Sequence, residues 1–511
     1  MTATYRLETP HPLLRGGLVP ELPDGLHLEV GSEDSVNWSA LDTFDWRLFN
    51  KDLALLTNGR RAVLYSASDW ANLDEANLAR KPRFVADLPE GAIRNRVGPL
   101  LDVRALLEVA RFSWLSTSLF AADKRGKKIC SLVQSQIREK RSVGEASPLF
   151  FLTLRAVRGY EKETRKATDY FLEEFGCQLS SLSPLARLLE SADRRPGAYT
   201  TRPAQIQDPA EASANVIPRM LRTYIRVIRA NEGGILRDID TEFLHDFRVA
   251  SRRTRSLLRE FEDLFTKSES RRFRKDISQL GKRTNTLRDL DVYLLSEKLY
   301  RTMVPPEMNA DLDPIFAHLR RRRTSERKSV SRFLRSQAYD DSIKNWGVFL
   351  EEEAPRLATE FLGSESVSIT AVRKIWKKYR RVVKLGRKIG RNSPDEEFHE
   401  LRLKCKQLRY LIEFFSSLFP GIQEPRKRLK ALQDDLGKIQ DFAVQAETLG
   451  QLASDPTFQR EAVSSTYVAI GALIAALEKK KSTARKHVLV SFGEFASPQA
   501  RKALAAVLAE V

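Results

Sequence analysis

The feature that most constrains how this chain can fold is an internal repeat with an offset of about 154 residues. Two histidines, His245 and His399, each begin a segment in which basic residues follow at the third, seventh and tenth positions. These residues are Arg248, Arg252 and Arg255 in the first copy and Arg402, Lys406 and Arg409 in the second. Apolar residues then align without a gap: Leu257 with Leu411, Leu258 with Ile412, Phe261 with Phe415, Leu264 with Leu418, and Phe265 with Phe419. The sequence therefore predicts one multi-helix bundle that is present twice.

The histidine and the three basic residues of each copy share one side of a helix. At ~100° per residue they fall within an arc of roughly 80°, and the aligned apolar positions project to the opposite side. We call the four residues of the first copy the first stripe and those of the second copy the second stripe. Like charges on one helix face cost about 0.2–0.5 kcal/mol per neighbouring pair unless an anion offsets the repulsion. The stripes therefore predict a bound polyanion, with ordinary solvated charges as the alternative.

Other basic residues are candidates of lower rank. Arg253 is a weaker candidate for polyanion binding because it lies outside the arc of the first stripe, as Lys404 does for the second. Four cations at helical spacing precede the second stripe and are predicted to line the same channel, with a solvated helix face as the alternative: Arg373, Lys377, Arg381 and Lys384. For either histidine alone, the alternative is a structural histidine with a satisfied ring.

A second aligned pair follows the stripes, in which Leu287–Val292 matches Ile439–Val444. Three aspartates within it, Asp289, Asp291 and Asp441, could be mistaken for metal ligands. Few other acids are nearby, and a hard divalent cation needs several oxygen ligands. We predict that these aspartates cap helices or pair with arginines.

The charge of the chain is concentrated in its C-terminal part. The formal net charge is +19 and the isoelectric point is near 9.8. Residues 1–210 hold 29 basic and 27 acidic residues, and the rest hold 57 and 40. A field of this size attracts anions from a distance, so the anion site is expected after residue 210. The three cysteines are scattered, which argues against a disulfide scaffold or a zinc site.

The distribution of glycine, proline and β-like segments predicts the domains. Short apolar segments at Val63–Tyr65, Phe112–Leu115 and Phe150–Arg155 indicate strands, and a helix is expected over residues 161–175. We predict an α+β domain at 1–200, a linker at 201–211 and an all-helical domain at 212–511. The two repeats of the helical domain are expected at about 212–365 and 366–511.

The stripe segments resemble the signatures of the CHAD family, the conserved histidine α-helical domain. The resemblance is carried by His-x-x-Arg-Val-Ala-x-Arg-Arg-x-Arg and by His-x-x-Arg-x-x-x-Lys-x-x-Arg-Tyr, with Arg-Asp-Leu-Asp-Val and Leu-Gln-Asp-Asp-Leu-Gly as further matches. It covers about residues 212–511. It implies two four-helix bundles related by a pseudo-twofold axis, a basic channel between them, and binding of inorganic polyphosphate.

The segment Leu41–Leu48, followed by Leu53-Ala-Leu, resembles part of the CYTH superfamily, whose domains often precede CHAD domains. This resemblance implies an antiparallel β tunnel that cleaves triphosphates with metal held by a Glu-x-Glu-x-Lys strand. Here that strand reads Thr2-Ala-Thr-Tyr-Arg6, and a later strand that is also acidic in the family contains Thr153 and Arg155. We therefore expect no metal site, no catalytic residue and no triphosphatase activity, and phosphate affinity only through arginines such as Arg47, Arg111 and Arg155.

The sequence thus predicts a cytoplasmic, polyphosphate-binding accessory or granule protein that is not an enzyme and needs no cofactor. The alternative is a metal-dependent triphosphate hydrolase with a polyphosphate-binding domain. Nucleic acid is disfavoured because the aromatic residues of the repeats lie on the packing side rather than among the arginines. The longest apolar run, near Tyr467–Leu477, is shorter than the ~20 residues that span a bilayer, so no membrane association is expected. The oligomeric state is not predicted.

Overall fold

The computed structural model describes residues 3–14, 22–68, 70–140, 146–203, 205–354 and 365–509. The chain divides into two compact units, residues 1–200 and 201–511. The first is built on a β-sheet and the second is helical. The predicted order, an antiparallel β domain followed by an all-helical region, is confirmed.

The first unit contains one antiparallel sheet of nine strands in the order β5-β4-β3-β2-β6-β7-β8-β1-β9. The strands are β1 (Thr4–Thr9), β2 (His27–Asp42), β3 (Leu53–Thr57), β4 (Arg61–Ser66), β5 (Asn72–Asn77), β6 (Leu107–Ala122), β7 (Lys128–Glu139), β8 (Leu149–Ala156) and β9 (Gln178–Leu179). All three strand segments predicted from the sequence are present, as β4, β6 and β8. Among the described residues, β5 and β9 stand at the two ends of this order.

Three helices pack against the sheet: α1 (Ala92–Leu101), α2 (Glu161–Glu174) and α3 (Pro184–Ser191). Alternation along a strand sends successive side chains to opposite faces. Leu7 of β1 and Leu152 of β8 are fully buried in one core with Phe171 of α2. The other face of the sheet packs on α3 through a second core that includes Trp38 and Phe151.

The second unit contains twelve α-helices in its described residues. They are α4 (Ser213–Arg237), α5 (Thr241–Glu260), α6 (Lys267–Leu295), α7 (Glu297–Arg301), α8 (Asp313–Leu334), α9 (Gln337–Val348), α10 (Val367–Gly386), α11 (Asp395–Phe414), α12 (Gln423–Ala453), α13 (Pro456–Gln459), α14 (Ser464–Phe495) and α15 (Pro498–Ala509). A π-helical turn, Phe349–Glu353, follows α9. Both α4 and α10, and both α5 and α11, begin 154 residues apart, which is the offset of the sequence repeat.

The residues predicted as a linker, 201–211, are grouped with the helical unit. Ile206 is 6% exposed, and its backbone N–H donates to the Ser417 hydroxyl at 3.1 Å. The backbone N–H of Val367 donates to the Glu211 carbonyl at 2.8 Å. Proline-rich composition indicated a connector, but one apolar side chain and its backbone hydrogen bonds hold this segment against the helices.

The two repeats contact each other through equivalent residues. Phe261 and Phe415, which are aligned in the sequence repeat, pack edge to face with their ring centroids 5.9 Å apart. When a residue contacts its own counterpart, a twofold operation relating the two copies must pass close to that contact. The Phe261–Phe415 pair therefore marks the pseudo-twofold axis that the resemblance implies.

The same pseudo-twofold operation relates two further contacts to each other. Tyr224 of α4 packs on Phe414 of α11 with a centroid distance of 6.1 Å. At the positions 154 residues away in each direction, Lys378 of α10 forms an ion pair with Glu260 of α5 at 2.8 Å. An aromatic pair on one side of the axis thus corresponds to an ion pair on the other. The geometry of the contact is conserved between the repeats, while its chemistry is not.

A buried core also joins the repeats at another place. Leu290 of α6 and Phe316 of α8 belong to the same apolar cluster as Leu449 of α12 and Leu473 of α14. Each repeat therefore covers apolar surface of the other. Within the described residues, no helix is long and apolar enough to cross a membrane.

Candidate polyanion-binding site

Helix α5 presents the first stripe because its two sides differ in chemistry. Asp240 caps its N-terminus by accepting a hydrogen bond from the backbone N–H of Glu242 at 2.9 Å. Phe247 and Leu257 are fully buried on the packing side. The stripe residues follow the same helical period on the other side, as the sequence predicted, so that burial of the apolar side fixes where the cations lie.

Arg248 is the most enclosed cation of the first stripe. Its guanidinium donates to the Gly281 carbonyl at 3.1 Å and to the Thr284 hydroxyl at 2.9 Å, both on α6. Burial, with the charges of Arg252 and other nearby arginines, lowers the pKa of Arg248 to about 10, against a partial offset from Asp289. Neighbouring cations therefore disfavour the charge of Arg248, and an anion would favour it.

His245 is held by Arg288, a residue of α6 that the sequence did not single out for the site. An Arg288 N–H lies 3.0 Å from Nδ1 of His245. A guanidinium can only donate, so Nδ1 must accept and carries no proton. This contact makes His245 a neutral ring with its proton on Nε2.

The second stripe carries the cation with the most weakly held proton. Burial lowers the pKa of Lys406 to about 8, and the charges of Arg402, Arg252 and Arg409 act in the same direction. Burial also lowers the pKa of Arg402; Asp441 offsets part of this, and Arg252 and Arg409 add to it. Asp441 lies 3.7 Å from the Arg402 guanidinium. Two carboxylates, Asp441 at Arg402 and Glu413 at Arg409, thus face a group of four cations.

His399 differs from its counterpart in the first stripe. Its Nδ1 is hydrogen-bonded to Oε1 of Gln440, the residue equivalent to Arg288. An amide oxygen accepts, so Nδ1 of His399 donates in this contact. The side chain is exposed, whereas that of His245 is partly buried. The two histidines therefore use Nδ1 in opposite ways, as an acceptor in His245 and as a donor in His399.

The structure brings the middle of the two stripes together. Arg252 of α5 acts electrostatically on both Arg402 and Lys406 of α11. Tyr410 of α11 acts in turn on Arg255 of α5. Charges shift a pKa in this way only when they are close. The two cationic faces predicted separately thus form one basic surface across the pseudo-twofold axis.

Two stripe arginines retain a buried donor. The Nε atoms of Arg248 and Arg402 are shielded from solvent and have no hydrogen-bond partner in the part of the chain that the structure describes. The Nε atom of Arg409 instead lies 3.3 Å from the Glu413 carboxylate. A buried donor without a partner costs about 1–3 kcal/mol. A phosphate oxygen is a hydrogen-bond acceptor, and one guanidinium can donate to two phosphate oxygens in parallel.

Arg253 and Lys404, which lie outside the stripes, have other surroundings. Arg253 forms an ion pair with Glu413 of α11 at 3.0 Å, and both side chains are less than a fifth exposed. We therefore assign Arg253 a structural role between the repeats rather than a place in the binding surface. Burial lowers the pKa of Lys404, and Arg381 of α10 is the cation whose charge lowers it most. Lys404 thus faces α10.

The basic residues of α10 are placed differently from the stripes. Arg373 forms a two-pronged ion pair with Glu365, at 2.8 and 2.7 Å. Lys377, Arg381 and Lys384 are exposed, and the charge of Arg381 acts on Lys404, which lies outside the arc of the second stripe. These interactions of Arg373 and Arg381 are thus with residues outside the stripes, and a role of this helix in the channel stays a prediction.

Two of the three aspartates in the second aligned pair, Asp291 and Asp441, form ion pairs with arginines. Asp291 is 2% exposed and forms an ion pair with Arg323 of α8 at 2.6 Å. Burial raises the pKa of Asp289, and Arg248 and Arg288 oppose this shift. Among the described residues, no group of three or more His, Cys, Asp or Glu side chains is arranged to hold a metal ion.

A cavity of about 210 Å³ lies between α5 and α6 beside the first stripe. Besides Arg248, Arg252 and Arg255, it is lined by polar residues of α6 that sequence reasoning missed: Ser278, Lys282 and Asn285. The only sequence signal for them was their place one or two helical turns before the second aligned pair. The first stripe thus has a wall on α6 as well as on α5.

In the β unit, the face on which the sequence placed lost carboxylates carries basic or hydroxyl side chains at four paired positions. Thr4 of β1 pairs in register with Arg155 of β8, and Arg6 pairs with Thr153. Glu8 follows on the same face of β1 and forms an ion pair with Arg187 at 3.1 Å. Thr2 lies outside the described residues. Threonine and arginine side chains are poor ligands for a hard divalent cation.

Two further arginines of this unit have local structural partners. The Arg47 guanidinium forms an ion pair with Asp45 at 2.9 Å and donates to the carbonyls of Leu100 and Leu101 at 3.2 and 3.1 Å. Arg111 forms an ion pair with Glu108 at 2.9 Å. Phosphate affinity through these two groups would require these contacts to break.

Comparison with known proteins places one family on the helical unit. Residues 219–450 match the model of the CHAD domain. Two uncharacterized proteins of Mycobacterium tuberculosis are 27% identical over 279 residues, which are 53% of this chain and 50% of each relative. The chain thus spans about half the length of the curated relatives it matches.

Two solved structures are also similar. The CHAD domain from the plant Ricinus communis has 24% sequence identity and a TM-score of 0.48, and the match covers 58% of this chain and 97% of that one. PptA from Streptomyces chartreusis has 17% identity and a TM-score of 0.40, with 55% and 99% covered.

Proposed function

Because a CHAD domain occupies residues 219–450, we propose that the helical unit binds inorganic polyphosphate along the two stripes, as an accessory or granule-associated protein in the cytoplasm. One observation carries the proposal: the helices of the two stripes are in direct contact, through the Phe261–Phe415 pair at 5.9 Å and the Arg253–Glu413 ion pair at 3.0 Å. In agreement with this contact, the charge of Arg252 lowers the pKa of both Arg402 and Lys406. Cations held together at a partly buried surface repel one another. A long polyanion offsets that repulsion along the whole surface.

The chemistry of the stripes suits phosphate in particular. A guanidinium binds phosphate oxygens with two parallel, charge-assisted hydrogen bonds. The Nε atoms of Arg248 and Arg402, which have no partner among the described residues, supply such donors. Partial burial strengthens these contacts because the local dielectric is lower than that of water. The stripes can therefore bind successive phosphoryl groups of one chain.

Nucleic acid is the competing polyanion, and the positions of the aromatic rings disfavour it. Binding of single strands commonly uses aromatic side chains as stacking surfaces for bases. Phe261 and Phe415 are buried against each other at the pseudo-twofold axis and offer no free ring face. The repeats thus supply contacts to phosphates and none to bases through these two residues.

Competition for the full chain tests this proposal. Labelled long-chain polyphosphate is bound and followed by fluorescence polarisation at fixed salt. We expect unlabelled polyphosphate to displace it at a much lower concentration of charge than single- or double-stranded DNA does. Equal displacement by DNA would show that any phosphate backbone suffices.

We further propose that the β unit does not hydrolyse triphosphates. Thr4, Arg6, Thr153 and Arg155 occupy the face where a metal-dependent hydrolase would need carboxylates. Phosphate release from tripolyphosphate with added Mg²⁺ or Mn²⁺, measured with malachite green, should not exceed that of a protein-free control. Metal-dependent release that is lost on substitution within residues 1–200 would favour the hydrolase instead.

A further inference from the structure

The cavity beside the first stripe combines charge, space and hydrogen-bond donors in one place. Its volume of about 210 Å³ greatly exceeds the ~15 Å³ that a single water molecule needs. Arg248, Arg252 and Arg255 line it from α5, and Lys282 and Ser278 line it from α6. A small group with several oxygen atoms and a negative charge matches this lining.

Gly281 opens the cavity on the α6 side. It lies within a long helix, where glycine is less favourable than alanine. A Cβ at this position would meet no other heavy atom within 4 Å, so packing does not require a glycine here. The Gly281 carbonyl accepts a hydrogen bond from Arg248 at 3.1 Å, which places this position beside the buried guanidinium. The absent side chain therefore leaves room beside a cation.

The second repeat has different residues at the equivalent positions. The alignment of Leu287–Val292 with Ile439–Val444 has an offset of 152 residues, which pairs Gly281 with Gln433 and Lys282 with Asp434. Gln433 is 6% exposed, so a buried side chain stands where the first repeat has none. Asp434 replaces a cation with an anion.

We propose that the cavity formed by Gly281, Lys282 and the first stripe is a discrete site for one phosphoryl group, and that it anchors a polyphosphate chain on the first repeat. This inference rests on the proposed function and adds the order in which the parts of the binding surface engage the polyphosphate chain. A chain as short as tripolyphosphate is bound at the cavity, and a longer chain extends from there along the second stripe. The first repeat then anchors the polyphosphate chain, and the second repeat binds its extension.

The test exchanges the residue that distinguishes the repeats. Tripolyphosphate and long-chain polyphosphate are titrated by calorimetry into the full chain, into Gly281→Gln, and into a matched control, Gln433→Gly. Glutamine fills the space beside Arg248 without changing the charge. We expect Gly281→Gln to weaken tripolyphosphate binding by about tenfold or more, since it blocks charge-assisted contacts. Long-chain binding should weaken less, and the control should bind tripolyphosphate like the parent.

Gly281→Ala serves as a second variant that does not threaten the fold. Alanine is the better helix former, so its melting temperature should equal or exceed that of the parent. Its methyl group enters the cavity, and we expect a smaller loss of tripolyphosphate affinity. If folded Gly281→Gln binds tripolyphosphate as the parent does, the anchor is refuted while the proposed function stands. If the parent protein binds neither phosphate polymer, the proposed function itself fails.

Discussion

The two repeats of the helical unit share a backbone arrangement and differ in the chemistry built on it. In the first, Arg288 donates to the His245 ring, and Gly281 leaves a cavity beside Arg248. In the second, Gln440 accepts from His399, and the pKa of Lys406 is lowered to about 8. A duplicated scaffold therefore allows one binding surface to have an enclosed part and a titratable part.

The largest expected effect comes from neutralising either stripe. Arg252→Gln with Arg255→Gln, and separately Lys406→Gln with Arg409→Gln, should each weaken polyphosphate binding by about 100-fold. Each charge-assisted contact contributes about 1.5–3 kcal/mol, and tenfold corresponds to ~1.4 kcal/mol. The dependence of affinity on salt should also flatten, because fewer counterions are released. Fluorescence polarisation over a salt series measures both quantities.

A charge-matched control distinguishes binding at a specific surface from general electrostatic attraction to a basic protein. Arg501→Gln with Lys502→Gln removes the same charge from exposed positions on α15, outside the residues that match the CHAD domain. Its affinity should stay within about threefold of the parent, the scale of an exposed charge interaction. If the control loses as much affinity as the stripe variants while circular dichroism stays native, total charge governs binding.

The next effect concerns stability rather than binding. Arg253→Gln gives the first repeat the residue that the second has at position 407, and it removes the buried ion pair with Glu413. Breaking a buried pair costs about 3–5 kcal/mol, but Arg409 remains 3.3 Å from Glu413. We expect the free energy of unfolding to fall by about 1–2 kcal/mol in urea denaturation, with nearly unchanged polyphosphate affinity. A tenfold loss of affinity in the folded variant would place Arg253 in the binding surface after all.

The pH dependence of binding should come mainly from the second stripe. The pKa of Lys406 is lowered to about 8, so the free protein loses this charge as the pH rises through that value. A bound polyanion favours the protonated form, so binding takes up a proton. Affinity should fall by about tenfold between pH 7 and pH 9. Lys406→Met should bind more weakly at pH 7 and lack this step. A parent protein whose affinity is constant over this range would contradict it.

Sequence reasoning succeeded where the two repeats agree. The shared spacing predicted helices α5 and α11, their buried sides and their cationic sides, because one helical period fixes all three. It could not find Gly281 or Lys282, since a comparison of repeats retains only what both copies share. The cavity depends on residues that differ between the copies, and only the packing of α5 against α6 brings them together.

Amino-acid composition predicted the structure less well than the helical periodicity of the repeats did. A proline-rich stretch indicated a linker at 201–211, but burial of Ile206 is a tertiary contact that no local pattern encodes. In the same way, Arg253 and Arg373 look like binding residues in a basic sequence. Only the structure shows that Glu413 and Glu365 are their partners.

The pseudo-twofold axis at Phe261 and Phe415 bears on the direction of a bound polymer. Chains of RNA and DNA have unlike ends, so reversing a strand presents a different sugar geometry to every contact. The two ends of linear polyphosphate are chemically identical, so the polymer has no direction. Two stripes related by a twofold operation offer equivalent groups to a ligand that enters from either side. A directionless polymer can use both stripes in either orientation, whereas a directional strand must meet one of them backwards.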